Sequence, residues 1–163
     1  MNTKRYSVQY RRKREGKTDY RRRAALLLSG RPRIVVRRTL RQVIVQFVEA
    51  GDKGDRILVS AGSASLRKLG WKHGLNLCTA YLTGLLAGMR ARKAGLSSGI
   101  ADLRSPKGRG RIYAALKGVV DTGIEVPHDP SVFPDDSRLN GGHIKGSAGQ
   151  EMAELKSRIA KGG

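Results

Sequence analysis

Residues 78–95 read CTAYLTGLLAGMRARKAG. Tyr81, Leu82, Leu85, Leu86 and Met89 recur at helical spacing and make a wide apolar stripe. The pattern predicts a helix over Ala80–Ala94, entered at Cys78-Thr79 and stopped by Gly95. Gly84 and Gly88 stand one turn apart, so one strip of this helix has no side chains. In a bilayer such spacing marks paired helices, but this stretch is too short to span and ends in Arg90, Arg92 and Lys93. Close packing of the helix on a sheet is the better account, and it sets the fold: this helix needs strands to cover.

Strands are found on both sides of it. Arg33–Arg38, around Ile34, Val35 and Val36, reads as one. Gln42–Val48 reads as a second, with Val43, Val45 and Phe47 on one face and Ile44 and Val48 on the other, close enough to the first for a hairpin. Asp52-Lys53-Gly54 is turn chemistry, and Arg56–Ala61 is a third strand. Ser65–Leu69 fits a short helix ending at Gly70. Beyond the central helix, Ile100–Leu103 is a fourth strand. Arg111–Thr122 is a helix with Ile112, Ala115, Leu116 and Val119 inward, and Ile124–Val126 is a short fifth strand before Pro127. Pro130, Pro134 and Gly141-Gly142 mark an irregular stretch, followed by a helix over Gly149–Ala160. The expected fold class is α/β (α+β-like): a small mixed sheet of four to five strands covered by helices, with a basic N-terminal arm and an irregular C-terminal tail. The expected division is residues 1–30 for the arm and first helix, 31–128 for the body, and 129–163 for the tail with its short helix.

Charge says what this body meets. The 163 residues carry 33 Lys and Arg against 13 Asp and Glu, a net +20. A small soluble domain usually keeps a net charge of about 2–8, so a neutralising anionic partner is expected. No apolar run reaches membrane-spanning length, and MNTKRYSVQYRRKR has no apolar core of a secretory signal, which points to the cytoplasm. The single cysteine, Cys78, forms no internal disulfide, and one Cys with His73, His128 and His143 makes no zinc site at useful spacing. No cofactor or small-molecule substrate is expected.

The excess is uneven. The first 41 residues hold 15 of the basic residues and two acids, Glu15 and Asp19. Residues 1–17, with Lys4, Arg5, Arg11, Arg12, Lys13, Arg14 and Lys17, bury too little to offset their ordering entropy and read as an extended or disordered arm when free. Tyrosines interleaved with arginines suit RNA, whose phosphates take guanidinium groups in pairs and whose unpaired bases stack on rings. Thr18-Asp19 offers an N-cap to a helix over Tyr20–Ser29, whose early turns hold Arg21, Arg22 and Arg23 against the helix dipole, a conflict that a bound anion would relieve.

Catalysis has little to stand on. No acid occurs between Asp55 and Asp102, Asp102 stands alone at a strand end, and His128-Asp129 has no nucleophile beside it. Lys107-Gly108-Arg109-Gly110-Arg111 lacks the phosphate-loop spacing but offers glycines and three cations at a helix start, where a phosphate would sit well. His143 could stack on RNA or donate to it. Arg67-Lys68, Lys72-His73 and Arg90, Arg92, Lys93 are further cationic patches, and Trp71 is expected to be buried more readily than to stack on a base.

An ordered set of strings supports a closer comparison: Arg11-Arg12-Lys13-Arg14-Glu15 with Thr18-Asp19-Tyr20, Ser29-Gly30-Arg31-Pro32-Arg33, Gly70-Trp71, the run from Ala80 to Gly88, Ser105-Pro106, Asp121-Thr122-Gly123 and Gly142-His143-Ile144. In this order, over most of residues 5–145, the chain resembles the archaeal large-subunit ribosomal proteins of the L-eighteen family, which bind 5S rRNA. The resemblance implies a non-catalytic structural part of the ribosome's central protuberance, partnered by 5S rRNA, large-subunit rRNA and neighbouring ribosomal proteins. By position it implies RNA contacts for Arg11–Arg14, Arg21–Arg23, Arg31, Arg33, Arg37, Arg38 and Arg41, and then for Lys107, Arg109 and Arg111. An RNA-processing or RNA-modifying enzyme and a basic DNA-coating protein are the alternatives.

Overall fold

A computed structural model describes residues 7–52, 54–103, 110–142, 144 and 148–162. The chain divides into two compact units, residues 1–30 and 31–163.

In the first unit, Arg11–Arg14 forms a single helical turn, α1, where the sequence predicts extended chain. Local bonds explain the difference. Gly16, at φ +62°, lets its own N–H reach Lys13 O and that of Lys17 reach Arg12 O. Glu15 joins Arg11 at 2.9 Å and Lys17 at 2.8 Å, and these two cations hold its carboxyl below the usual range. Helix α2, Tyr20–Leu27, starts where the Asp19 side chain accepts from the Arg22 N–H, the predicted cap. Neither helix buries a residue.

The second unit is built on four strands in the order β3-β2-β1-β4. β1 (Arg33–Arg38) and β2 (Val43–Gly51) pair antiparallel, and β2 pairs antiparallel with β3 (Gly54–Gly62). A register shift at Phe47/Val48 interrupts the second ladder. After α3 (Ser63–Lys68) and α4 (Leu77–Lys93), the chain returns as β4 (Ile100–Leu103), parallel to β1. Ile34, Val36, Val43, Val45, Phe47, Val59 and Ala61 bury one sheet face against the helices. The expected fifth strand is absent from the sheet. Ile124 and Val126 are buried, but among the described residues that segment pairs only through a bridge between Ser98 and Glu125.

α4 starts earlier than its apolar pattern suggests, because the Asn76 side chain accepts from the Thr79 N–H. Its bare strip meets a helix, not the sheet. A Cβ on Gly84 would strike the Ala115 carbonyl of α5 (Arg111–Val120), and one on Gly118 of α5 would strike the Tyr81 carbonyl. One on Gly88 would strike Thr122. Backbone therefore lies on backbone along the α4–α5 seam. Side-chain periodicity identifies a close-contact face but not which element fills it. α6 (Asp136–Leu139) and α7 (Ala148–Gly162) complete the layer, with Leu139, Met152, Leu155 and Ile159 joining the same core.

Candidate nucleic-acid interface

β1 carries arginines at both ends, and its neighbours treat them oppositely. Arg33 is 4% exposed. Its Nη1 donates to Asp102 of β4 at 2.8 Å, and Nη2 stands 2.7 Å from Asp55 of β3. Arg33, one of the predicted RNA contacts, is thus buried, with its charge matched by two carboxylates within the sheet. The same pairing accounts for Asp102, which is isolated in the sequence. Arg31 lies 3.3 Å from Glu125 at the same end.

At the far end, Arg37, Arg38 and Arg41 are exposed and pair with no acid among the described residues. Thr39 shapes their turn: its Oγ1 accepts from the N–H groups of Arg41 and Gln42, and its N–H donates to Gln42 O. Leu40 at the tip is 99% exposed. Arg41 and Arg67, the latter exposed on α3, line a groove of about 470 Å³ with Leu40, Ser63 and Leu75. Arg67 was visible in the sequence only as part of a charge pair, with nothing to link it to Arg41.

The loop over residues 71–76 forms the next wall and is firmly held. Trp71 is buried, as expected, and its Nε1 donates to Thr79 Oγ1 at 2.7 Å, while that hydroxyl donates to Gly74 O at 2.6 Å. Arg111, predicted to bind phosphate, is half-buried and its Nη1 donates to Leu75 O at 2.9 Å, so at least part of its guanidinium braces this loop. His73 Nε2 stands 3.2 Å from Glu151 of α7.

On the first unit Arg11, Arg12, Lys13, Arg14, Lys17, Arg21 and Arg22 are exposed and Arg23 is half-buried. Arg12 Nε donates to Thr18 Oγ1 at 2.8 Å. Lys4, Arg5, Lys107, Arg109 and His143 lie outside the described residues.

Among the described residues no cluster of three His, Cys, Asp or Glu could hold a metal ion. Cys78 is buried with its Sγ 3.5 Å from Arg138 O, and burial raises its pKa, which suits a packed thiol rather than a nucleophile. His128 Nδ1 is occupied by Val126 O at 2.7 Å. Asp129 caps a short 3-10 turn, and the Ser131 N–H keeps its carboxyl below the usual range. No helix among the described residues is long and apolar enough to cross a membrane.

A basic, unburied first unit together with an α/β body cationic at one end is the build of a structural nucleic-acid-binding protein. Comparison with known proteins makes this specific. Residues 4–108 match the family model described as ribosomal large subunit proteins 60S L5 and 50S L18. Large ribosomal subunit protein uL18 of Korarchaeum cryptofilum is 55% identical over 143 residues, covering 86% of this chain and 73% of that protein. The uL18 of Methanothermobacter thermautotrophicus is 47% identical over 161 residues, covering 96% and 84%. That of Methanothrix thermoacetophila is 47% identical over 151 residues, covering 91% and 89%. The chain belongs to this family of large-subunit ribosomal proteins. It is a structural constituent of the ribosome, not an enzyme, and its surroundings there are ribosomal RNA and ribosomal proteins.

Proposed function

We propose that this protein holds 5S rRNA and ties it to large-subunit rRNA in the central protuberance. One observation carries the assignment of surfaces: within a single strand the arginine at one end is neutralised by carboxylates, while those at the other stand exposed without acids. Charge left unmatched inside the protein is charge available to phosphate. On the body this leaves Arg37, Arg38 and Arg41; the first unit adds the exposed cations Arg11, Arg12, Lys13, Arg14, Lys17, Arg21 and Arg22, of which Arg11 and Lys17 also pair with Glu15 at the surface. Lys4, Arg5, Lys107, Arg109 and His143 extend this set in sequence.

The mechanism is neutralisation combined with recognition of RNA shape. Folded RNA converges phosphates at junctions, where a basic arm replaces displaced counterions, and the RNA's own fold supplies most of the selectivity. The body should fold without the first unit, since the core contains no residue of that unit. Titration of 5S rRNA across a salt series tests this. Binding should weaken steeply, each phosphate contact adding about 0.7–0.9 to the log–log slope. Removal of residues 1–17 should abolish most of the affinity while the body remains folded by circular dichroism. A slope near zero, or equal affinity for duplex DNA, would refute the assignment.

A further inference from the structure

We propose that the groove between the β1–β2 turn and α3 receives one unpaired nucleotide of ribosomal RNA, its phosphate between Arg41 and Arg67 and its base against Leu40 and Leu75. The proposal rests on the RNA-holding role above and adds a defined subsite to it.

The groove combines two chemistries that a nucleotide needs side by side. Arg41 and Arg67 come from different elements, are exposed, and have no acidic partner among the described residues. Two guanidinium planes offer forked donors to one phosphate. Leu40 and Leu75 supply an apolar surface for a base. A lone exposed leucine is unremarkable in itself, but this one, 99% exposed, stands next to a cation that recruits RNA backbone. Ser63 adds a hydroxyl: its Oγ accepts from the Val43 N–H at 3.3 Å, which leaves its proton for a phosphate or ribose oxygen.

Size and stiffness narrow the occupant. A volume of about 470 Å³ lies in the range of small-ligand sites. It is large enough for one nucleotide turned out of a helix. The backbone of the walls is tied down before binding: Thr39 fixes the turn, the Trp71–Thr79–Gly74 bonds fix the 71–76 loop, and Arg111 holds the Leu75 carbonyl. The ordering cost is then confined to the exposed side chains of Leu40, Arg41 and Arg67. A nucleotide carries its anion and its flat ring in one unit, whereas an acidic protein segment would need a carboxylate and a separate apolar side chain placed together.

Two measurements test the proposal on the full chain. In 5S rRNA titrations, Arg41→Ala with Arg67→Ala should weaken binding about 30- to 100-fold and lower the salt slope by about 0.7, the share of one phosphate. Leu40→Ala should weaken it about tenfold with the slope unchanged, because the lost contact is apolar. If the parent binds tightly and neither variant differs from it, 5S rRNA does not occupy the groove, and the proposal then stands only if the crosslink below finds one unpaired nucleotide of the other large-subunit RNA. The second measurement uses Leu40→Cys, labelled with a benzophenone maleimide that the buried Cys78 does not take up, assembled into large subunits and irradiated. A single unpaired 5S nucleotide as the product supports both proposals. A single unpaired nucleotide of the other large-subunit RNA supports the groove and removes 5S from this surface. Crosslinks to duplex, to scattered sites, to an acidic protein segment or to nothing would overturn the groove assignment.

Discussion

The two ends of β1 are chemically alike in sequence and opposite in the folded protein. Arg33 crosses the sheet between Asp55 and Asp102, carboxylates that come from strands on either side of the β1–β2 pair. Arg37, Arg38 and Arg41, four to eight residues on, meet no acid. A net charge therefore overstates what a protein presents to RNA: part of it is internal, matched and structural. The useful quantity is cation left over after the fold has paired what it needs.

Five variants would break or sharpen this contrast. The largest effect is expected at the exposed end. Replacing Arg37, Arg38 and Arg41 together by Ala should weaken 5S rRNA binding about 100- to 1000-fold, roughly 3–4 kcal/mol, and flatten the salt dependence, with the melting temperature unchanged. Filter binding and a thermal melt read the two outcomes, and a fall in melting temperature without a loss of affinity would reverse the roles of the two ends. Next comes Arg33→Ala, which strands two carboxylates. Breaking a fully buried pair costs about 3–5 kcal/mol, but Asp55 and Asp102 remain 35% and 25% exposed, so about 2 kcal/mol is expected in urea unfolding. RNA affinity, corrected for the folded fraction, should stay the same. Replacing Arg33, Asp55 and Asp102 together by apolar residues of similar size should recover most of that loss, because no charge is then left unmatched. Arg111→Ala should cost about 1 kcal/mol of stability through the freed Leu75 carbonyl, together with a small loss of RNA affinity from a looser groove wall. The smallest effect is Arg31→Ala. Its partner Glu125 is 72% exposed, so unfolding should shift by less than about 0.5 kcal/mol.

Local order was legible in the sequence wherever one residue type decides it. β1 and β4 begin and end as their hydrophobic runs predict, and Asp19 caps α2 as its position before a helical run predicts. What failed depends on partners remote in the chain. Arg33 resembles Arg37 in every local respect, and only strands bringing Asp55 and Asp102 alongside separate them. Gly84 and Gly88 announce a close approach without naming the neighbour, and α5 rather than the sheet supplies it. Ile124–Val126 is apolar enough for a strand, yet burial is satisfied there with one bridge and no ladder. Arg67 joins Arg41 in the groove only because β3 and α3 return the chain to the β1–β2 turn. Around Arg11–Arg14 the error had another source: a glycine and an ion-paired glutamate stabilise a turn that composition alone argues against.

The α4–α5 seam has a consequence for heat capacity. With Gly84, Gly88 and Gly118 in contact with backbone or Thr122, there are few rotamers at that seam to rearrange and little hidden apolar surface to expose or cover when RNA arrives. The body should then enter a complex as a solid block. Most of any negative heat-capacity change on binding should then originate in the first unit, where Val8, Tyr10, Leu27 and Leu28 are exposed, with a smaller share from surface leucines of the body such as Leu40.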